Sequence, residues 1–250
     1  AAILTVWTLG NAGQAQVTAE IARLGVDKVW ITAREDSPRT LNAADSRQLT
    51  AATGAEASAG AATLGAVWLG EAPAYAQLSG VDASAEAVQA LQVEVGRFFA
   101  PWEFSRGASV AVLDHSLARA LSPEKPEALL ERRVTIGNRQ MRVIGIISDA
   151  AVQMFTACQG TVYLPLMTFL DTFGGHVQQV TLAVPQGASA KALADEALTL
   201  LSSDGGIFEA ASLEEEIDAA KSVIRIFVMV LACVAAVCML SGGIGVMNIL

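Results

Sequence analysis

Asp114, His115 and Ser116 carry, in three consecutive positions, the side-chain types of a hydrolase triad. Adjacent residues cannot converge on one substrate atom in the order a triad requires, and no nucleophile-elbow motif accompanies them. A strand-to-helix turn with Asp114 near the helix cap is the expectation instead. Ser241-Gly242-Gly243-Ile244-Gly245 has the small residues of a phosphate-cradling loop but lacks the preceding strand, the Lys and the polar surroundings. Gly242, Gly243 and Gly245 are better suited to letting two membrane helices approach closely. Asn248 could then hydrogen-bond across the contact, worth roughly 0.5–2 kcal/mol. His115 and His176 lie far apart among scattered carboxylates, which is no metal signature. Cys158 has no cysteine near it, and Cys233 and Cys238 fall in an apolar run where they serve as small packing residues. The sequence thus predicts no catalytic residue, no metal site and no cofactor held by this chain.

The elements that carry these residues divide the chain sharply. Of 250 residues, 53% are hydrophobic and 16% charged, well below the roughly 25% charge of ordinary soluble domains. The excess sits at the ends. Residues 226–250 contain no charge, and 25 residues at about 1.5 Å each span roughly 37 Å, more than a hydrocarbon core of about 30 Å. This stretch reads as a transmembrane helix. Residues 1–9 are also apolar, and no charge appears before Glu20. They read either as the tail of a secretory signal or as the end of an earlier transmembrane helix. The second is favoured, because no basic segment precedes them and Val17, Ile21 and Leu24 continue at helical spacing.

Residues 28–220 hold 23 acidic and 13 basic side chains within a chain of net charge −9. With no basic stripe for phosphates, a nucleic-acid partner is excluded from the reading. So long a loop can cross a membrane whatever its charge. An acidic extracytoplasmic domain between two spans is the simplest topology.

Within it, 28–33, 61–70, 75–81, 178–184 and 207–210 read as strands, and 43–53 and 188–201 as helices. Asn42 is the expected cap of the first helix, and Glu71-Ala72-Pro73 the expected turn between the second and third strands. Two strand–helix–strand units on either side of a long insertion predict an α+β fold: a split, ferredoxin-like base at 28–85 and 150–211, with a small mixed subdomain at 86–149. In that insertion, 110–113 and the pair 134–136 and 141–147 are strands, the pair joined at Gly137-Asn138, and 116–121 is a short helix. Ser212 and Glu215 form a capping box at the start of a helix without Gly or Pro before Gly242. Residues 212–225 would be a stalk running as one rod into the span at 226–250, and 10–27 a matching stalk after the first span at 1–9. The acidic residues at 214–218 are read as a solvated first turn, favoured by the helix dipole.

SGGIGVMNIL (Ser241 to Leu250) after an apolar helix resembles the second transmembrane helix of MacB-type ABC transporter permeases, in the FtsX-like permease region. TLGNAGQAQV (Thr8 to Val17), GVD (Gly80 to Asp82), GRFF (Gly96 to Phe99), VAVLD (Val110 to Asp114), RVIGII (Arg142 to Ile147) and VYLPL (Val162 to Leu166) are similar to that family, in the same order. The resemblance implies a permease of the bacterial inner membrane that works as a homodimer. ATP and Mg would be bound by a partner ATPase domain or subunit, fused or separate. Movement would pass through the stalks (mechanotransmission) to the outer domain. A periplasmic adaptor and an outer-membrane channel are implied in Gram-negative members, and substrates such as drugs, peptides, lipoproteins or siderophores. Two other classes compete: a membrane-anchored binding or regulatory module without transport, and an anchored enzyme, for which no residue constellation speaks.

Overall fold

The computed structural model describes residues 28–148, 158–185, 187–203 and 205–212, and four helical positions at 226, 229, 230 and 233. Residues 27–211 form one compact unit, and the stretches before and after it group into another. The elements in order are β1 (Lys28–Ala33), α1 (Ala43–Thr53), β2 (Ala57–Leu69), β3 (Ala72–Val81), α2 (Ala85–Gln89), β4 (Val93–Gly96), α3 (Pro101–Arg106), β5 (Val110–Asp114) and α4 (His115–Leu121). After a 3-10 turn at Pro126–Leu129 come β6 (Arg133–Ile136), β7 (Arg139–Ile147), β8 (Thr161–Pro165), α5 (Leu166–Phe173), β9 (Gln179–Ala183), α6 (Ala190–Ser202) and β10 (Phe208–Ser212).

The fold is α+β. Strands run β10-β1-β9-β2 across the base, and β1-α1-β2 and β9-α6-β10 are its two strand–helix–strand halves. The halves interleave, which is the split ferredoxin-like order. Helix α1 forms where the capping chemistry demands. The Asn42 side chain accepts from the Ala44 and Asp45 N–H groups at 2.7 and 3.3 Å, and the Asp45 carboxylate accepts the Asn42 N–H at 2.8 Å. Such a cap is worth about 1 kcal/mol. Gly54 at φ +70° ends the helix in the left-handed conformation. Leu49 of α1 and Leu193, Ala197 and Leu201 of α6 join Val29, Ile31, Ala59, Val180 and Leu182 in one buried cluster.

The same sheet continues into the insertion. Strand β3 pairs antiparallel with β2 and parallel with β8, followed by β5, β7 and β4; β6 bridges β7 back to β2. Strands β5 and β8 are buried at every position. Side chains alternate between faces along a strand. Ala111 and Leu113 therefore enter the first cluster, while Val112 meets Tyr163, Val81, Phe98 and Phe99 in a second.

Several boundaries differ from expectation, and two of them have a clear physical cause. Strand β2 starts at Ala57, four residues before the expected Ala61. Its opening ASAGAA has poor strand propensity, but β9 holds it on one side and β3 on the other, and pairing overrides propensity. The turn is Gly70-Glu71, not Glu71-Ala72-Pro73, with Gly70 at φ +65° in the first central position of a two-residue hairpin. Pro73 lies inside β3, opposite Trp68. It is tolerated because β8 joins β3 only from Gln77 onward. Strands β4 and β8 and helices α2, α3 and α5 had no counterpart among the expected elements.

Gly80 marks a close approach of a helix to this sheet. A Cβ there would lie 2.6 Å from Phe169 of α5, against backbone geometry that any residue could adopt. Gly80→Ala is expected to lower stability by about 1–3 kcal/mol through overpacking alone. Urea denaturation should show a lower midpoint at unchanged slope.

Candidate functional site

Three buried or half-buried carboxylates tie the elements together, and each belongs to, or is clamped by, one of the short motifs noted above. Asp82, just after β3, accepts the Ser58 hydroxyl at 2.7 Å, the Ser46 hydroxyl at 3.1 Å, and the Ala59 and Ser84 N–H groups at 2.7 and 3.1 Å. It thereby joins α1, β2 and the start of α2. Ser46 and Ser58 are themselves buried, so these hydroxyls have little water to fall back on.

Asp114 is fully buried at the end of β5. Its Oδ1 accepts the Leu117 N–H at 2.8 Å, capping α4, and its Oδ2 accepts the Thr161 N–H at the start of β8. Gly160 makes room for this, since a Cβ there would stand 2.3 Å from Oδ1. Burial, and secondarily the Asp114 charge, push the Tyr163 phenol well above its ordinary pKa, so it stays neutral.

Arg97 and Glu103 make the third joint. Two parallel bonds of 2.7 and 2.8 Å link the guanidinium and the carboxylate, and Glu103 also accepts the Ala100 N–H at 2.7 Å. Glu103 is fully buried and Arg97 half-exposed. The Arg97 hydrogen bonds, helped by the Ala100 N–H, outweigh desolvation and hold the Glu103 carboxyl below its usual range. Phe98, Phe99 and Phe104 flank these residues in sequence, and their rings lie 4.7 and 5.5 Å apart in succession. Gly145 of β7 allows the approach, because a Cβ there would meet the Arg97 carbonyl at 2.2 Å.

The residues singled out for chemistry do not converge. With the Asp114 carboxylate taken up by backbone N–H groups, His115 turns outward and pairs with Glu94 at 2.8 Å, half-exposed, while Ser116 lies in α4. His176 is exposed and Cys158 half-buried. Among the described residues no group of three His, Cys, Asp or Glu side chains is placed to hold a metal ion, and no helix is long and apolar enough to cross a membrane. Ser212 ends β10. Glu215, Cys238, Gly242, Gly243, Gly245 and Asn248 lie outside the described residues, as do the expected stalks at 10–27 and 213–225. Glu103 escaped the sequence reading, although Pro101 followed by an acid two residues later is a helix-start signal.

Glu103 also gives a pH dependence. A carboxyl whose folded-state pKa is lowered contributes stability that is complete above the unfolded value of about 4.3 and is lost as pH falls through the folded value. Glu103→Gln is expected to cost about 2 kcal/mol at pH 7. The gap to the parent chain should close as pH drops below about 4.3. Denaturation midpoints measured from pH 7 to pH 3 check this; a gap that stays constant would contradict it.

Comparison with known proteins places this architecture. The family model for the MacB-like periplasmic core domain matches residues 1–200. The macrolide export ATP-binding/permease protein MacB of Campylobacter jejuni (strain 81-176) is 27% identical over all of this chain, which spans 41% of that relative's length. The MacB of Bradyrhizobium diazoefficiens is likewise 27% identical, and the chain spans 40% of it. The probable syringafactin export protein SyfD of Pseudomonas syringae pv. tomato is 27% identical over 70% of the chain, or 27% of that protein. Among solved structures, the periplasmic region of MacB from Actinobacillus actinomycetemcomitans superposes with a TM-score of 0.66 at 20% identity, covering 81% of this chain and 95% of that one. The extracellular domain of the transporter YknZ, from Gram-positive bacteria, gives 0.62 at 18%, covering 74% of this chain and 100% of that one. The chain belongs to the MacB-like periplasmic core domain family.

Proposed function

We propose that this chain is the extracytoplasmic part, with adjoining membrane segments, of a permease subunit of an ABC exporter in the bacterial inner membrane. One observation carries the reading. Arg34, just past β1, donates its N–H to the Ile207 carbonyl at 3.0 Å and pairs with Glu209 of β10. The end of β1 thus lies by the start of β10, its neighbour in the sheet. The first and last strands of the domain are adjacent, which suits two stalks coming from one membrane. Ile226, Met229, Val230 and Cys233 support the second span: they are helical, exposed and spaced at i, i+3, i+4 and i+7.

In this reading the chain makes and breaks no bonds. An ATPase partner or domain binds ATP and Mg, and its closure is passed through stalks to a domain stiff enough to move as a body. The three carboxylate joints supply that stiffness. The permease works as a homodimer in the lipid bilayer, and a periplasmic adaptor and outer-membrane channel complete the route. Relatives are named for export of macrolides and of syringafactin. Export is their common feature and the cargo is not, so a drug, peptide or lipoprotein-like substrate fits here.

Rigid coupling is testable in the full assembly. A Gly-Gly insertion after Ala219 is expected to cut export at least tenfold while ATP hydrolysis continues. Equal export by the insertion variant would defeat the rod. Gly243→Leu should impair dimer assembly and export together, read by cross-linking and transport; normal dimers and normal export would remove Gly243 from the helix contact.

A further inference from the structure

Strand pairing in the insertion closes on itself. Strand β2 pairs with β3, β3 with β8, β8 with β5, β5 with β7, β7 with β6, and β6 returns to β2. These six strands form a ring. The base is attached to it through the first residues of β2, where 57–60 pair with β9. The closing join is short: β6 meets β2 at Val67, opposite Ile136, and at Trp68, opposite Thr135.

Side chains explain why so short a seam holds. Val67 and Ile136 are fully buried in the first cluster, and alternation along the strands turns Trp68 and Thr135 outward. Opening the seam would bring both aliphatic side chains into water. Six strands leave a narrow interior, since an eight-stranded ring is only just wide enough for side chains to fill. Small residues accordingly line it. Ala74, Ala76 and Ala111 are buried there, and a Cβ on Gly65 would lie 2.7 Å from the Leu78 side chain. Helices cover the two ends. Leu117 of α4 stands beside Gly160 at the start of β8, and Phe169 of α5 stands against Gly80 near the end of β3, which runs parallel to β8.

We infer that the β2–β6 seam is a strap that turns the insertion from an open sheet into a closed barrel and so locks it against rotation about β3. Neighbouring strands of open sheets vary in twist over about 25°. Pairing through β3 alone would leave that freedom between the base on one side and β8, β5 and β7 on the other. Closure removes it, because strand tilt and stagger in a barrel are linked and no strand can twist by itself. Use of this stiffness to couple ATP hydrolysis to export rests on the exporter reading; the stiffness itself does not.

The test is double electron–electron resonance on the full chain in lipid nanodiscs. Spin labels are carried on p-acetylphenylalanine at two exposed positions, 47 in α1 and 127 in the 3-10 turn before β6. The parent should give one narrow distance distribution. Trp68→Glu combined with Thr135→Glu sets like charges opposite each other on the outer side of the seam and leaves the core residues in place. This variant should at least double the width of the distribution, with its circular dichroism unchanged. Trp68→Cys combined with Thr135→Cys tests the closed state separately: it should oxidise to a disulfide and keep the width of the parent. A broad parent, a charged variant as narrow as the parent, or a cysteine pair that resists oxidation or changes the distance would each overturn the strap. A narrow parent distribution in an assembly that exports nothing would count against the exporter reading alone.

Discussion

Strand β3 bonds β2 along its whole length on one side and β8 on the other, and every other relation in the domain depends on that double pairing. The Gln77 N–H donates to the Gly160 carbonyl at 2.9 Å, and the Gln159 N–H to the Tyr75 carbonyl at 2.8 Å, so the parallel pair is bonded from its first residues. Without β3 the base and the insertion would be joined in the sheet only where β6 pairs with β2, at Val67 and Trp68. With it they share one ten-stranded sheet, and the first buried cluster runs from Val29 in the base through Leu164 of β8 to Met141 in the insertion. Apolar burial over so many residues far outweighs any single polar contact. The carboxylates do something different.

Asp82, Glu103 and Asp114 each take hydrogen bonds from backbone N–H groups at the end of an element, and each also reaches a second element or a cation. Hydrophobic packing tolerates small slides; a carboxylate with several fixed donors does not. The three joints therefore fix angles at the places where strands give way to helices. The glycines beside them have a matching role. Gly160 and Gly145 leave space for an oxygen that a methyl group would fill. Such a body can carry a displacement from one end to the other, which is the property a mechanically coupled permease needs from its outer domain.

Much of this was legible in the sequence because it is local. The bounds of β1, the Asn42 cap, the Asp114 turn and the Gly137-Asn138 hairpin follow from side-chain chemistry within a few residues. The strand order of the base was legible too, since two strand–helix–strand units leave few ways to interleave. What escaped was decided at long range. Asp82-Ala83-Ser84 signals a turn, but its bonds to Ser46 and Ser58 span 36 and 24 residues. TVYLPLMTF has no clear period, and only burial on both faces makes its first half a strand. The exposure of Leu64, Trp68 and Tyr75 escaped because they look like core residues until the register turns them outward.

Hydrogen exchange of the backbone amides in the full chain tests the central claim, that base and insertion form one mechanical unit, most directly. If β3 and its double pairing unify them, the amides of β5 in the insertion, of β1 and β9 in the base, and of β3 and β8 between them should share one slow class and open together as denaturant rises. An insertion whose β5 and β7 amides exchange in a separate, less stable class, while β1 and β9 stay protected, would contradict it.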